Sequence, residues 1–143
     1  MIIWLASYPK SGNTFVRAFL SSYYYSKEGE FDFSLFENIK QFPNEEFFEK
    51  KLSNIEQASQ EWIKAQKKSI ENKKIKFFKT HSCMATYKER PFTTAETTLG
   101  AIYIVRDPRN VFTSMKNHFS MNDEDAMKMI VDKQRGLISD ENV

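Results

Sequence analysis

The apolar positions of this chain change period along its length, and each change marks an element. Residues 2–6, Ile-Ile-Trp-Leu-Ala, are continuously apolar and predict a buried strand, after which Ser7 begins a turn-rich stretch punctuated by Pro9 and Gly12. From Asn13 the period becomes helical, with Phe15, Phe19 and Tyr23 on one stripe, Val16, Leu20 and Tyr24 beside it, and Asn13 or Thr14 placed to cap the helix. The first unit therefore reads strand, tight loop, helix. Residues 27–54 carry mixed charge and scattered Phe, with Pro43 preceding Glu45 and Glu46 at the start of a short helix. Ile55, Ala58, Trp62, Ile63 and Ile70 then recur near helical spacing among Lys, Glu and Gln, which predicts an amphipathic helix over 55–70 that ends at Lys73–Lys74. Ile75–Thr80 reads as a second strand running into His81.

After a polar segment with Pro91 and several Thr, Ala101–Val105 is apolar throughout and predicts a strand covered on both faces. It ends in Arg106–Asp107, where Pro108 suits a first helical position with Asp107 as its cap, and Val111, Phe112, Met115 and Phe119 continue the helix. Residues 123–134 resemble a further helix opened by Asp123-Glu124-Asp125. Strands alternating with helices predict an α/β fold, a parallel β-sheet flanked by helices, with right-handed crossovers.

A chain of 143 residues with 41% hydrophobic content has room for one domain with a real core, so residues 1–143 are expected to form a single domain. Lys plus Arg number 21 against 19 Asp plus Glu, and the basic residues are interspersed with acidic ones, so a nucleic-acid partner has no electrostatic footprint. Any anion site must be local. The single Cys83 has no disulfide partner and no Cys or His at metal-ligand spacing, which fits a reducing compartment and no structural zinc. The opening apolar run is too short for a secretory h-region and no later stretch approaches a membrane span, so a cytoplasmic protein with no membrane association is expected. Aromatic residues make up 15% of the chain, and their concentration between Phe15 and Phe48 reads as filler for the core.

Three constellations carry chemistry. In Tyr8-Pro9-Lys10-Ser11-Gly12-Asn13-Thr14-Phe15 a strand-to-helix loop aims backbone N–H groups and a positive helix end at one point. Gly12 permits close backbone approach, Ser11 and Thr14 add hydroxyls, and Lys10 adds charge. The nucleotide P-loop places its lysine after the second glycine, whereas Lys10 precedes the only glycine of this loop. The second constellation is Ile102 to Ser114, in which Ser114 lies two turns into the helix on the capping face, so that its hydroxyl and the Arg106 guanidinium can converge on one phosphate. Arg106 pairing with Asp107 is the alternative. The third is Phe77-Phe78-Lys79-Thr80-His81, a strand that delivers a histidine at its carboxyl end, the edge where ligands bind in open α/β sheets. His118, beside Phe119, reads as partly buried packing.

The first loop resembles the 5′-phosphosulfate loop of PAPS-dependent sulfotransferases (PAPS, 3′-phosphoadenylyl sulfate), with its Tyr-Pro-Lys-Ser-Gly-[Thr/Asn]-Thr core at Tyr8 to Thr14. Arg106-Asp107-Pro108-Arg109-Asn110-Val111 with Ser114 is similar to that family's 3′-phosphate site, and Lys79-Thr80-His81 to its catalytic Lys-Thr-His. The resemblance implies sulfuryl transfer from PAPS to a hydroxyl or amine of a small-molecule or glycan acceptor, without metal. It implies catalytic roles for His81 as general base and for Lys10 and Lys79. Donor binding would fall to Lys10, Ser11, Gly12, Asn13, Thr14, Phe15, Arg106 and Ser114. Residues 26–74 match no motif of that family. Its C-terminal Arg-Lys-Gly clamp and Gly-Asp-Trp are also missing, since Gln134-Arg135-Gly136-Leu137 differs, so the resemblance implies a domain cut short at its C-terminal side. A non-catalytic module that binds PAPS or its bisphosphate product, and a small P-loop kinase or NTPase, are the competing readings.

Overall fold

A computed structural model of the chain describes residues 1–49, 51–52 and 54–132. Its sheet is built from β1 (Ile2–Ser7), β2 (Lys76–Thr80) and β5 (Thr98–Ile104), all parallel, in the order β2-β1-β5. The strand most apolar along its whole length takes the centre, because only there are both faces and both edges covered. Ile2, Trp4 and Leu5 are accordingly buried. Helix α1 (Asn13–Tyr25) follows β1, α2 (Ile55–Ser69) precedes β2, and α3 (Pro108–His118) and α4 (Asp123–Val131) follow β5. A parallel α/β sheet flanked by helices is the architecture the sequence predicts.

One aromatic cluster forms the core between sheet and α2. Trp4 lies within 5.3–6.0 Å, centroid to centroid, of Phe42, Phe78 and Phe92, and Trp62 of α2 meets Phe92 edge-on at 5.3 Å. Each of these rings removes enough apolar surface from water to stabilise the fold by about 1.5–3 kcal/mol. Beneath them lies a buried polar network: the Gln66 amide nitrogen donates to the Phe92 carbonyl, and its oxygen accepts from the hydroxyls of Thr93 and Thr97. Thr93 also bonds Thr98, whose hydroxyl accepts from the Trp4 indole at 2.9 Å. The Thr-rich stretch before β5 is thus an internal brace.

The expectation that the Phe15–Phe48 aromatics fill the core holds for Phe42, Phe47 and Phe48 and fails for α1. Phe15, Phe19 and Tyr23 are 77%, 62% and 70% exposed, so the stripe that marks α1 in the sequence is its solvent face. Strand β5 departs from expectation too. It pairs only with β1 among the described residues, and Ile102, Tyr103 and Val105 are exposed rather than covered on both faces. Two pieces of structure had no signal in the pattern. A 3-10 helix, Phe33–Asn38, leads into an extended segment whose Gln41 pairs in parallel with Lys79 at the outer edge of β2. A two-residue hairpin joins β3 (Thr86–Tyr87) to β4 (Arg90–Pro91) through Lys88 and Glu89, both in the left-handed region that Gly or Asn would announce. The short acidic helix after Pro43 is a 3-10 turn, Glu45–Phe47. Among the described residues no helix is long and apolar enough to cross a membrane.

Candidate functional site

The loop between β1 and α1 is held from below by its own first helical residue. Asn13 does not cap α1. Its side chain is buried, and its amide donates to the Leu5 carbonyl at 2.8 Å and the Ser7 hydroxyl at 3.1 Å. The cap position falls instead to Gly12, at φ 100°, with no side-chain bond to the helix end and no acid in the first turn. Lys10 also takes a left-handed backbone, φ 65°, a conformation that costs a side-chain-bearing residue energy and that the fixed ends of the loop impose. The result is a 13-residue helix whose first backbone N–H groups and positive end are left to an outside acceptor, with the buried Ser11 beneath them. Thr14 and Phe15 are exposed, and Phe15 faces solvent.

The second constellation meets the first. Arg106, at the end of β5, donates from Nη1 to the Lys10 carbonyl at 3.0 Å, across 96 residues of sequence. It does not pair with Asp107. That carboxylate caps α3 through the Arg109 amide and is gripped by the Arg109 guanidinium, which holds it below the usual carboxylate range. With Asp107 taken by Arg109, no salt bridge to Arg106 forms among the described residues. Ser114 lies half-buried on α3 and its hydroxyl makes no bond to Arg106. Between loop and α3 lies a pocket of about 210 Å³ lined by Tyr8, Ser11, Tyr103, Arg106, Val111 and Ile130 among others. Tyr8, Tyr103 and Val111 fall within the sequence motifs but carry no binding role there, unlike Ser11 and Arg106, and Ile130 belongs to no motif.

β2 brings the third constellation to the same edge, because β1 and β2 are parallel with Ala6 opposite Thr80. The His81 ring sits over the end of β1, with Nδ1 2.9 Å from the Ser7 carbonyl and 3.3 Å from the Ser7 hydroxyl. A carbonyl can only accept, so Nδ1 carries a proton, and in the neutral ring Nε2 is then the nitrogen with the lone pair. Burial, reinforced by the cationic Lys79, pushes the imidazole below its ordinary value against the opposing pull of the Ser7 carbonyl. Lys79 is likewise lowered, by burial first and then by the Arg17 and Lys10 charges. His118, expected to be packing, is exposed, with its ring edge-on to Phe119. Among the described residues no cluster of three or more His, Cys, Asp or Glu side chains could hold a metal ion.

The arrangement gathers hydrogen-bond donors and cations at one sheet edge: backbone N–H groups, hydroxyls, Lys10, Lys79 and Arg106, with the Asp107 carboxylate engaged by Arg109. Beside it stands His81, its imidazole held below the ordinary histidine value chiefly by burial. A family model described as the sulfotransferase domain matches residues 2–139, and the chain belongs to that family. The match runs through residues 26–74, where no motif was recognisable. No curated protein matches the chain.

Proposed function

We propose that the chain binds PAPS, with the 5′-phosphosulfate against the loop Lys10–Thr14 and the 3′-phosphate near Arg106 and Ser114, and that His81 serves as general base in sulfuryl transfer. The observation that carries this reading is the Arg106 bond to the Lys10 carbonyl, which ties the two phosphate motifs into one surface. The donor set fits the ligand, since amides, hydroxyls and cations without a free carboxylate suit phosphate and sulfate oxygens.

In the reaction so proposed, His81 Nε2 takes the proton of an acceptor hydroxyl or amine as that atom bonds to sulfur. The bond from sulfur to the bridging phosphate oxygen breaks, and adenosine 3′,5′-bisphosphate leaves. Lys10 faces the charge that grows on the leaving oxygen, and Lys79 adds positive potential beside the sulfuryl group. The neutral state of His81 near pH 7 is the state a base requires. A hydroxyl or amine on the acceptor suits that role, and a small molecule or glycan is the acceptor that the resemblance implies.

The test is transfer of radiolabelled sulfate from PAPS to a panel of phenols, alcohols and amines. Transfer by the wild type that falls about 10²–10⁴-fold in His81→Ala is the expected result, the range for removing a positioned base. Bisphosphate binding without transfer to any acceptor would favour a non-catalytic binding module instead, and transfer indifferent to His81→Ala would remove His81 from the chemistry.

A further inference from the structure

Lys79 owes its placement to a part of the chain that carries no recognised motif. Its Nζ donates to the Gln41 amide oxygen at 3.0 Å, and the two residues pair in parallel at the sheet edge. Backbone bonds lock that pairing on both sides, Phe42 N to the Lys79 carbonyl at 2.8 Å and Lys79 N to the Lys40 carbonyl at 2.9 Å. The segment leading to Gln41 is in turn fastened to α1 by Arg17. Its guanidinium donates to the carbonyls of Phe36 and Ile39 and lies 4.0 Å over the Phe36 ring.

We propose that Gln41 is a positioning residue for Lys79, a neutral acceptor that aims the ammonium at the anion site without cancelling its charge, and that Arg17 holds Gln41 in place. The disposition of nearby charges supports this. Two acids of the same segment, Glu37 and Glu46, pair with Lys40. The charged or titratable groups that act on Lys79 are Arg17 of α1 and Lys10 of the loop, with His81 feeling it from the end of β2. A half-buried cation among cations is held there at a cost, and an amide oxygen offsets part of it while leaving the positive potential intact. A carboxylate at 41 would pair with Lys79 and remove that potential.

This inference rests on the proposed donor site only for its purpose, and its geometry can be tested separately. The 13Cε resonance of Lys79, in lysine-labelled protein and assigned through Lys79→Arg, is followed against pH in the wild type and in Gln41→Glu. Gln41 is exposed, so the substitution leaves the core untouched. The expected result is a Lys79 midpoint below that of the other lysines in the wild type and a clear upward shift in Gln41→Glu. An unchanged midpoint in a folded Gln41→Glu protein overturns the proposal. Adding adenosine 3′,5′-bisphosphate to the same samples separates the two ideas. A Gln41-dependent midpoint with no response to bisphosphate upholds the positioning role and counts against the donor site. A response to bisphosphate with no Gln41 dependence does the reverse.

Discussion

Asn13→Ala removes the residue that joins the end of β1 to the start of α1. The loss has two parts. The hydrogen bonds to the Leu5 carbonyl at 2.8 Å and the Ser7 hydroxyl at 3.1 Å disappear from a side chain that is 3% exposed. At about 0.5–1.5 kcal/mol each, the two bonds are worth about 1–3 kcal/mol. The Ser7 hydroxyl retains His81 as an alternative neighbour, which keeps the total near the middle of that range, about 2 kcal/mol. With a urea m-value of about 2 kcal/mol/M the unfolding midpoint should fall by about 1 M at unchanged slope. Asn13→Thr, which keeps one hydroxyl donor, should lose roughly half as much. Because Lys10 takes a left-handed backbone only under the constraint of fixed loop ends, affinity for adenosine 3′,5′-bisphosphate should fall along with stability, under conditions where the variant is still folded. Urea denaturation followed by fluorescence, with calorimetric titration of the folded variant, reads both quantities. A midpoint equal to the wild type, or full bisphosphate affinity in a destabilised variant, would refute the view that Asn13 shapes the loop.

Ser114→Ala should weaken adenosine 3′,5′-bisphosphate binding about tenfold and leave adenosine 5′-phosphosulfate, which lacks the 3′-phosphate, unaffected; Arg106→Ala should weaken both, since it also releases the Lys10 carbonyl, and calorimetry with the two ligands distinguishes the cases. The pH dependence of transfer should show an acid limb with a midpoint below 6.5, the ordinary histidine value, because burial and Lys79 disfavour the imidazolium, and Lys79→Met should move that midpoint upward in a kcat/KM profile. The same depression means that the unfolded chain binds the extra proton first, so the His81 contribution to stability is complete above 6.5 and diminishes as pH falls toward the folded midpoint, a trend that urea midpoints across pH 5–7.5, roughly, would reveal. Phe42→Ala should cost about 3–5 kcal/mol, whereas Phe19→Ser, on the exposed face of α1, should stay within about 0.5 kcal/mol; equal losses in thermal denaturation would mean that the α1 aromatics are core after all.

The sequence made the site's framework readable where a local rule had a local outcome. Continuous apolarity at Ile2–Ala6 gave the central strand, Asp107-Pro108 gave a helix start that forms as written, and the loop and Lys79-Thr80-His81 arrive at one sheet edge because parallel strands must deliver their ends together. What stayed hidden depends on partners far away in sequence. A helical stripe of Phe15, Phe19 and Tyr23 has the same period whether it faces core or water, so periodicity found α1 and misassigned its face. Asn13 suits a cap by type, yet a strand-end carbonyl within reach inside the fold claims its side chain. The Arg106 link to Lys10 spans 96 residues and Gln41 to Lys79 spans 38, and neither has a spacing rule to betray it. Strand β5 looks buried in sequence because its residues are apolar, while its exposure depends on which elements lie beside it.

The central claim, a metal-independent site for PAPS at the loop, is tested most directly by calorimetric titration of the chain with adenosine 3′,5′-bisphosphate in EDTA, alongside ADP with Mg²⁺ and the Lys10→Ala variant. The account predicts bisphosphate binding that persists in EDTA, weaker binding of ADP, and a loss of about 1–3 kcal/mol, roughly 5- to 150-fold, on Lys10→Ala. Binding that requires Mg²⁺ and favours ADP, or bisphosphate affinity unchanged by Lys10→Ala, would contradict it.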